Sequence, residues 1–163
     1  ASSMGRLFDA VASLVLGKTS VNREGELAIQ LEKIAKRYRL ETSSYDFKII
    51  KENNKYIFDP APLFKQIISD LKAKEPQEKI AYGFHLSVAQ MIKKICLILR
   101  EDGKINKVVL SGGVFQNNLL LCLALDLLYK EDFKVFTQKE LHCNDSGVSL
   151  GQLAVANFSR QAI

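Results

Sequence analysis

No apolar run in this sequence is long enough to cross a bilayer: the longest, Leu119 to Leu125, is ended by Asp126, well short of the roughly 20 residues that a helical span needs. The first residues, Ala1-Ser2-Ser3-Met4-Gly5-Arg6, lack the apolar centre of a signal peptide. No membrane role is expected, and cytoplasm is the expected compartment. Cysteine is scarce as well. Cys96, Cys122 and Cys143 are odd in number and far apart, so neither a disulfide framework nor a CxxC zinc site is indicated. Cys96 and Cys122 sit in apolar helical contexts and read as small core residues, whereas Cys143 precedes Asn144-Asp145 in a loop. No Ser-His-Asp or Cys-His arrangement stands out. His85, between Phe84 and Leu86, reads as a structural imidazole, and it is distant in sequence from His142.

A block of like charge is missing too. The net charge of +5 is spread over local clusters, Lys33/Lys36/Arg37/Arg39, Lys72/Lys74 and Lys93/Lys94, which read as solvated faces with few interleaved aromatics. A nucleic-acid platform is not expected, while attraction to an anionic nucleotide or an acidic partner stays open. Low-complexity linkers and internal repeats are absent. What is present suits one folded domain of ordinary size: 163 residues, 47% hydrophobic and 25% charged, are enough for a sizeable core and exclude disorder.

Apolar spacing predicts a helix from Gly5 to Leu16, with Leu7, Val11, Leu14 and Val15 on its inner side, Asp9 facing away and Gly17 stopping it. A second helix is predicted from Glu24 to Tyr38 on Leu27, Leu31, Ile34 and Ala35. Tyr45 to Ile49 and Tyr56 to Phe58, separated by Glu52-Asn53-Asn54-Lys55, read as a hairpin. Asp59-Pro60-Ala61-Pro62 announces a helix on Leu63, Phe64, Ile67, Ile68 and Leu71, and the longest helix runs from about Gln77 to Arg100, with Gly103 at its end. Strand Lys107–Leu110, a helix to about Lys130, strand Phe133–Phe136, the loop Leu141–Ser146 and a last helix follow. In that last helix Gly147, Gly151 and Ala154 leave one side almost bare, a face that serves packing alone or, by close approach, brings Asp145 beside the Gly112-Gly113 loop at the carboxyl ends of adjacent strands.

The most informative segment is Ser111-Gly112-Gly113-Val114-Phe115-Gln116-Asn117-Asn118. It joins a buried strand to a helix expected to begin near Val114. Paired glycines can take positive φ and let a phosphate reach backbone N–H groups with no Cβ in the way. The next helix adds unpaired donors and a favourable dipole. A tight strand-to-helix turn with no ligand is the alternative.

Four blocks in order, Gly5-Arg6-Leu7-Phe8-Asp9, Arg23-Glu24-Gly25-Glu26-Leu27, Leu110-Ser111-Gly112-Gly113-Val114-Phe115-Gln116-Asn117 and Asn144-Asp145-Ser146-Gly147-Val148-Ser149-Leu150-Gly151-Gln152, resemble the C-terminal, TsaD-like part of the HypF carbamoyltransferases of hydrogenase maturation. The resemblance spans nearly the whole chain. TsaD-like tRNA threonylcarbamoyltransferases share the first and third blocks, but Phe115 to Asn118 and Asn144 to Gln152 resemble HypF more closely. The implied fold is α/β: one lobe of an actin/Hsp70/sugar-kinase (ASKHA) type nucleotide-binding fold, helix-rich with a small mixed sheet. Residues 1–163 would form a single domain, the C-terminal lobe, with the family's upstream modules and its other lobe outside this sequence, so that the chain alone is expected to be inactive.

The implied chemistry uses ATP and carbamoyl phosphate to make a carbamoyl-adenylate, and carries the carbamoyl group to the C-terminal cysteine of the partner HypE for the cyanide ligand of [NiFe]-hydrogenase. By resemblance, Asp9 holds the ribose hydroxyls, Gly25 and Glu26 lie near the sugar, Gly112 and Gly113 contact phosphate, and Asn117 approaches the nucleotide. Asp145 corresponds to an acidic ligand of a divalent metal ion, iron, zinc or magnesium, completed by two upstream histidines. Plainer roles stand beside each: a solvated carboxylate for Asp9, first-turn charge for Glu26, a helix-surface amide for Asn117 and an N-cap for Asp145. The chain departs from the family twice, with Gly25-Glu26-Leu27 where TsaD-like proteins read Gly-Gly-Pro and Ser146 at a glycine-like position. Two other readings are a TsaD-like tRNA-modifying subunit and a non-catalytic scaffold lobe. An unpaired lobe face also suggests a homodimer.

Overall fold

The computed structural model describes residues 3–38, 40–53, 55–138 and 143–161. Arg39 of the basic cluster, Asn54 of the hairpin turn, and Leu141 and His142 of the last loop lie outside the described residues. Helix α1, Met4–Leu16, starts on Ser3, whose hydroxyl accepts from the Arg6 N–H, and stops at Gly17 with φ of 65°. Its buried face is Phe8, Val11, Ala12 and Val15, while Leu14 is exposed. The expected stripe was therefore turned: Phe8 takes the inward position because its ring packs edge-on against Phe84, 4.7 Å between centroids. Helix α2, Glu26–Ala35, buries Leu27, Leu31 and Ala35 as expected.

Strands β1, Lys48–Glu52, and β2, Lys55–Asp59, pair antiparallel with Ile50 opposite Ile57. The hairpin begins three residues later than the alternation suggested. Tyr45 is held elsewhere: its N–H donates to the Ser87 hydroxyl, and its own hydroxyl donates to Asp70 at 2.7 Å. Burial, and then the bond to the Asp70 carboxylate, push the Tyr45 phenol well above its ordinary range. Helix α3, Ala61–Lys72, opens where the Asp59 carboxylate accepts from the Ala61 N–H at 2.9 Å. It buries Leu63 and Ile67 and leaves Ile68 exposed.

Helix α4, Gln77–Gly103, is the spine. Ile80, Ala81, Phe84, Val88 and Ala89 disappear into the core, each large apolar side chain contributing about 1.5–3 kcal/mol by burial. Lys104, at φ of 54°, rather than Gly103, takes the left-handed turn that ends it. Strand β3, Lys107–Leu110, then pairs in parallel with β4, Lys134–Thr137, across helix α5, Asn118–Tyr129. Helix α5 buries Leu120, Ala124 and Leu128. Cys122 falls between them and is exposed, against the expectation of a core thiol, while Cys96 is half-buried and its thiol is pushed up by burial.

The strands form two separate two-stranded sheets among the described residues, one antiparallel and one parallel, instead of one mixed sheet. Connection length explains the sense of each pairing. A short turn can only return a strand antiparallel to its neighbour, whereas a parallel partner needs a helical crossover such as α5. Helix α6, Val148–Gln161, departs most from expectation. From Val148 to Phe158 its side chains are all exposed, and a methyl group at Gly151 would meet no described atom within 4 Å. Toward the described residues, the small-residue face is therefore open at Gly151. Among the described residues no helix is long and apolar enough to cross a membrane.

Candidate functional site

Leu110 is paired with Thr137 at the carboxyl ends of β3 and β4, and the polar segments of interest leave from there. After Ser111, Gly112 adopts φ 105° and ψ 156°, a region that only glycine occupies readily. Gly113 opens a single 3-10 turn, Gly113–Gln116, so the expectation of a helix beginning near Val114 is corrected: α5 begins at Asn118. A methyl group on either glycine would meet nothing described within 4 Å. The turn is thus open on the side where a ligand would approach the main chain.

Asn117 divides the turn from the helix. Its Oδ1 accepts from the Leu120 N–H at 2.9 Å, and its backbone sits at φ −72° and ψ 101°, the extended geometry of an N-cap. The backbone N–H of Asn117 closes the 3-10 turn on the Val114 carbonyl, and its own carbonyl accepts from Leu121. Its Nδ2 lies 2.8 Å from Nε2 of His85. His85 is fully buried, with Nδ1 2.7 Å from the Ala81 carbonyl and the Phe8 ring edge-on at 5.2 Å. Removal from water holds the imidazole pKa down at about 4, so it is neutral near pH 7. A carbonyl can only accept, which puts the proton on Nδ1 and leaves Nε2 to accept from Asn117.

The start of α5 is not an open donor cluster, which corrects a second expectation. Leu120 N–H is taken by Asn117, and Leu119 N–H donates to the Glu32 carboxylate of α2 at 3.2 Å. Glu32 is in turn paired with Lys36 at 2.5 Å. A negative charge already occupies the positive end of this helix, and its first backbone donors are taken.

The other residues fall into place around this turn to different degrees. Asp9 is half-buried on α1, next to Phe8, which links α1 to His85 and so to Asn117. Gly25, at φ of 73°, precedes α2. The Glu26 carboxylate folds back on its own helix start, accepting from the Asn22 N–H at 3.2 Å and from Gln30 Nε2 at 3.0 Å, the arrangement of a first-turn charge. Asp145 is exposed and opens the 3-10 turn Asp145–Gly147. That turn returns toward β4, since a methyl group on Gly147 would lie 3.9 Å from the Gln138 side chain. Among the described residues no group of three His, Cys, Asp or Glu side chains could hold a metal ion, and a single carboxylate does not make a metal site. The link from His85 to Asn117 was missed in the sequence; its only signal was a histidine inside an apolar helix face.

A cavity of about 530 Å³ lies elsewhere, between α1, the hairpin and α3, with Met4, Leu7, Phe47, Phe58, Phe64 and Met91 in its wall. Its lining is mostly apolar, with Ser3 and Arg6 among it, and does not include Asp9 or the glycines.

Residues 1–152 match the family described as the carbamoyltransferase Kae1-like domain, second subdomain. The chain is 35% identical over 99% of its length to the carbamoyltransferase HypF of Synechocystis sp. and 36% identical over 95% to that of Rhodobacter capsulatus. It spans about one fifth of the length of these relatives, 20% and 19%. Its fold superposes with a TM-score of 0.87 and 38% identity on a crystal structure of full-length HypF in the phosphate- and nucleotide-bound form, covering 96% of this chain and 24% of that one.

Proposed function

Because the chain belongs to the carbamoyltransferase family as the second subdomain of its Kae1-like domain, we propose that it is one lobe of a HypF-type carbamoyltransferase, an ASKHA-type lobe that contributes half of an ATP site. One observation carries this reading. The turn after β3 combines a glycine-only conformation at Gly112 with open space at Gly113, in a chain similar throughout to a protein solved with phosphate and nucleotide bound. Backbone N–H groups of Gly112, Gly113 and Val114 would receive phosphate oxygens, a donor set that a side chain at either glycine would cover. The Asp9 carboxylate would accept from the two ribose hydroxyls. Asn117 has Oδ1 and one amide N–H engaged, which leaves its second N–H for the nucleotide. Gly25 and Glu26 would border the sugar by position, with the Glu26 carboxylate already committed to its own turn.

Chemistry in such a site is positioning. Carbamoyl phosphate loses its phosphate to water, leaving carbamate, whose oxygen attacks the α-phosphorus of ATP to form a carbamoyl-adenylate as pyrophosphate leaves. The C-terminal thiolate of HypE then attacks the carbamoyl carbon, forming the C–S bond as AMP leaves with the bonding pair. The lobe's part is to hold the adenylate phosphate and ribose still while the partner's sulfur approaches. Asp145 would be this chain's single contribution to a metal site whose other ligands lie outside it, and no step here depends on the metal. The open apolar side of α6, with Leu153 and Phe158 exposed, supports a docked neighbour such as the other lobe of the longer enzyme.

The test is carbamoylation of HypE by the full-length protein with ATP and carbamoyl phosphate, read as a 43 Da gain (on the order of one carbamoyl group) on its terminal cysteine. The reading predicts that gain with the full-length protein and none with residues 1–163 alone. No gain with the full-length protein would sink it.

A further inference from the structure

We infer that His85 is the positioning residue of the Gly112–Gly113 turn: its Nε2 accepts from the Asn117 side chain and fixes that amide in the orientation whose Oδ1 caps α5, at the residue whose backbone N–H closes the turn. This deepens the nucleotide reading above and rests on it.

The argument is one of hydrogen-bond polarity. The Ala81 carbonyl, 2.7 Å from Nδ1, can only accept, so Nδ1 carries the proton and Nε2 presents a lone pair. At 2.8 Å from that lone pair stands an atom of the Asn117 amide, which must therefore be the NH2 nitrogen. The opposite end of the amide must then be the oxygen, and it is the oxygen that the Leu120 N–H requires at 2.9 Å. Direction is thus passed without ambiguity from a backbone carbonyl of α4 to a backbone N–H of α5. Rotating the amide by half a turn would set its NH2 against the Leu120 N–H and its oxygen against the Nε2 lone pair, two repulsions in place of two bonds.

Among the described residues, Asn117 is the hydrogen-bond partner of that Nε2, with Glu32 and Lys36 the nearby charges. The ring is enclosed by Phe8 and Phe84, has no exposed surface, and so touches neither substrate nor metal. Its effect reaches the ligand through Asn117, whose backbone joins the turn to the helix through Val114 and Leu121. Without the imidazole acceptor the amide is free to leave the cap, the turn loosens at its carboxyl end, and the N–H groups of Gly112 to Val114 lose their common aim. Fixed donors bind more tightly than donors that must be ordered on binding.

The experiment compares His85→Gln with His85→Leu in the full-length protein. Both remove the Nδ1 bond to Ala81, but the glutamine side-chain oxygen can reach the place of Nε2 and accept from Asn117, while leucine cannot. The probe is a non-hydrolysable ATP analogue, followed by calorimetry well below each variant's unfolding temperature. The expected result is about tenfold weaker binding for His85→Leu, recovery to within about twofold of the unaltered protein for His85→Gln, and no difference between the two when Asn117→Ala is also present. Equal affinities for the Leu and Gln variants, with binding by the unaltered protein intact, would overturn the positioning role and leave the nucleotide reading standing. If the unaltered protein does not bind the analogue, both readings fall together. Should His85→Leu not fold, nitrogen-15 NMR of the unaltered protein decides: Nδ1 protonated and Nε2 bare is the expected tautomer, and a proton on Nε2 would refute the inference.

Discussion

Glu32 of α2 accepts a hydrogen bond from the Leu119 N–H at 3.2 Å, across 87 residues of sequence. The first turn of α5 is therefore held partly by another helix, and the electrostatic opportunity at its N-terminus is used for folding rather than left for a ligand. Glu32→Gln keeps a weaker acceptor and removes the charge. The expected outcome is a loss of about 1 kcal/mol in denaturant unfolding with affinity for an ATP analogue undiminished. A drop in affinity at unchanged stability would show that the carboxylate serves the ligand instead.

His85 makes stability depend on pH. Its pKa in the folded chain is held at about 4 by burial, below the ordinary value of about 6.5. Between these values the unfolded chain binds more protons than the folded one, so this contribution is complete above about pH 6.5 and is lost as pH falls toward 4. The full difference is on the order of 3 kcal/mol. Unfolding measured at pH 7 and pH 5 should show a decline that His85→Gln reduces; an identical decline in both proteins would place the pH sensitivity elsewhere.

The two glycines should fail differently. Gly112 sits at φ 105° and ψ 156°, so Gly112→Ala is expected to cost about 1–3 kcal/mol through backbone strain alone. Gly113 has open space and begins a right-handed turn, so Gly113→Ala should fold within about 0.5 kcal/mol of the unaltered protein. Thermal unfolding of the pair checks this order, and equal losses would contradict the assigned backbone.

Helix α6 should be separable from the core. Ending the chain after Gly147 removes a helix whose described side chains, Val148 to Phe158, are exposed, and the unfolding temperature is expected to move by less than about 2 °C. Leu128→Ala, at a fully buried position, should by contrast cost about 2–5 kcal/mol. A large loss on truncation would mean that α6 is packed in solution.

Much of this architecture was legible because it rests on local rules. Gly17, the Asp59-Pro60 start and the run Lys107–Leu110 each act within a few residues, and all appear where expected. Readings that depended on partners distant in sequence went astray. Tyr45 seemed to begin a strand but is drawn away by Ser87 and Asp70; Leu14 gave up the core face to Phe8 because Phe84 waits across from it. The bare face of α6 was visible in sequence, but what covers it was not, and toward the described residues Gly151 stays open. At the candidate site the Gly112–Gly113 turn was evident from its residues, whereas the bond between Asn117 and His85 spans 32 positions and leaves no local pattern to read.

The central claim, that the turn after β3 receives nucleotide phosphate while Asp9 receives the ribose, is tested most directly by calorimetric titration of the full-length protein with a non-hydrolysable ATP analogue, in unaltered form and as Gly113→Val and Asp9→Asn. Both substitutions should leave folding intact, because Gly113 faces open space and Asp9 is not part of the buried core. The account predicts saturable binding by the unaltered protein and at least about tenfold weaker binding by each variant. Unchanged affinity in Gly113→Val would contradict it.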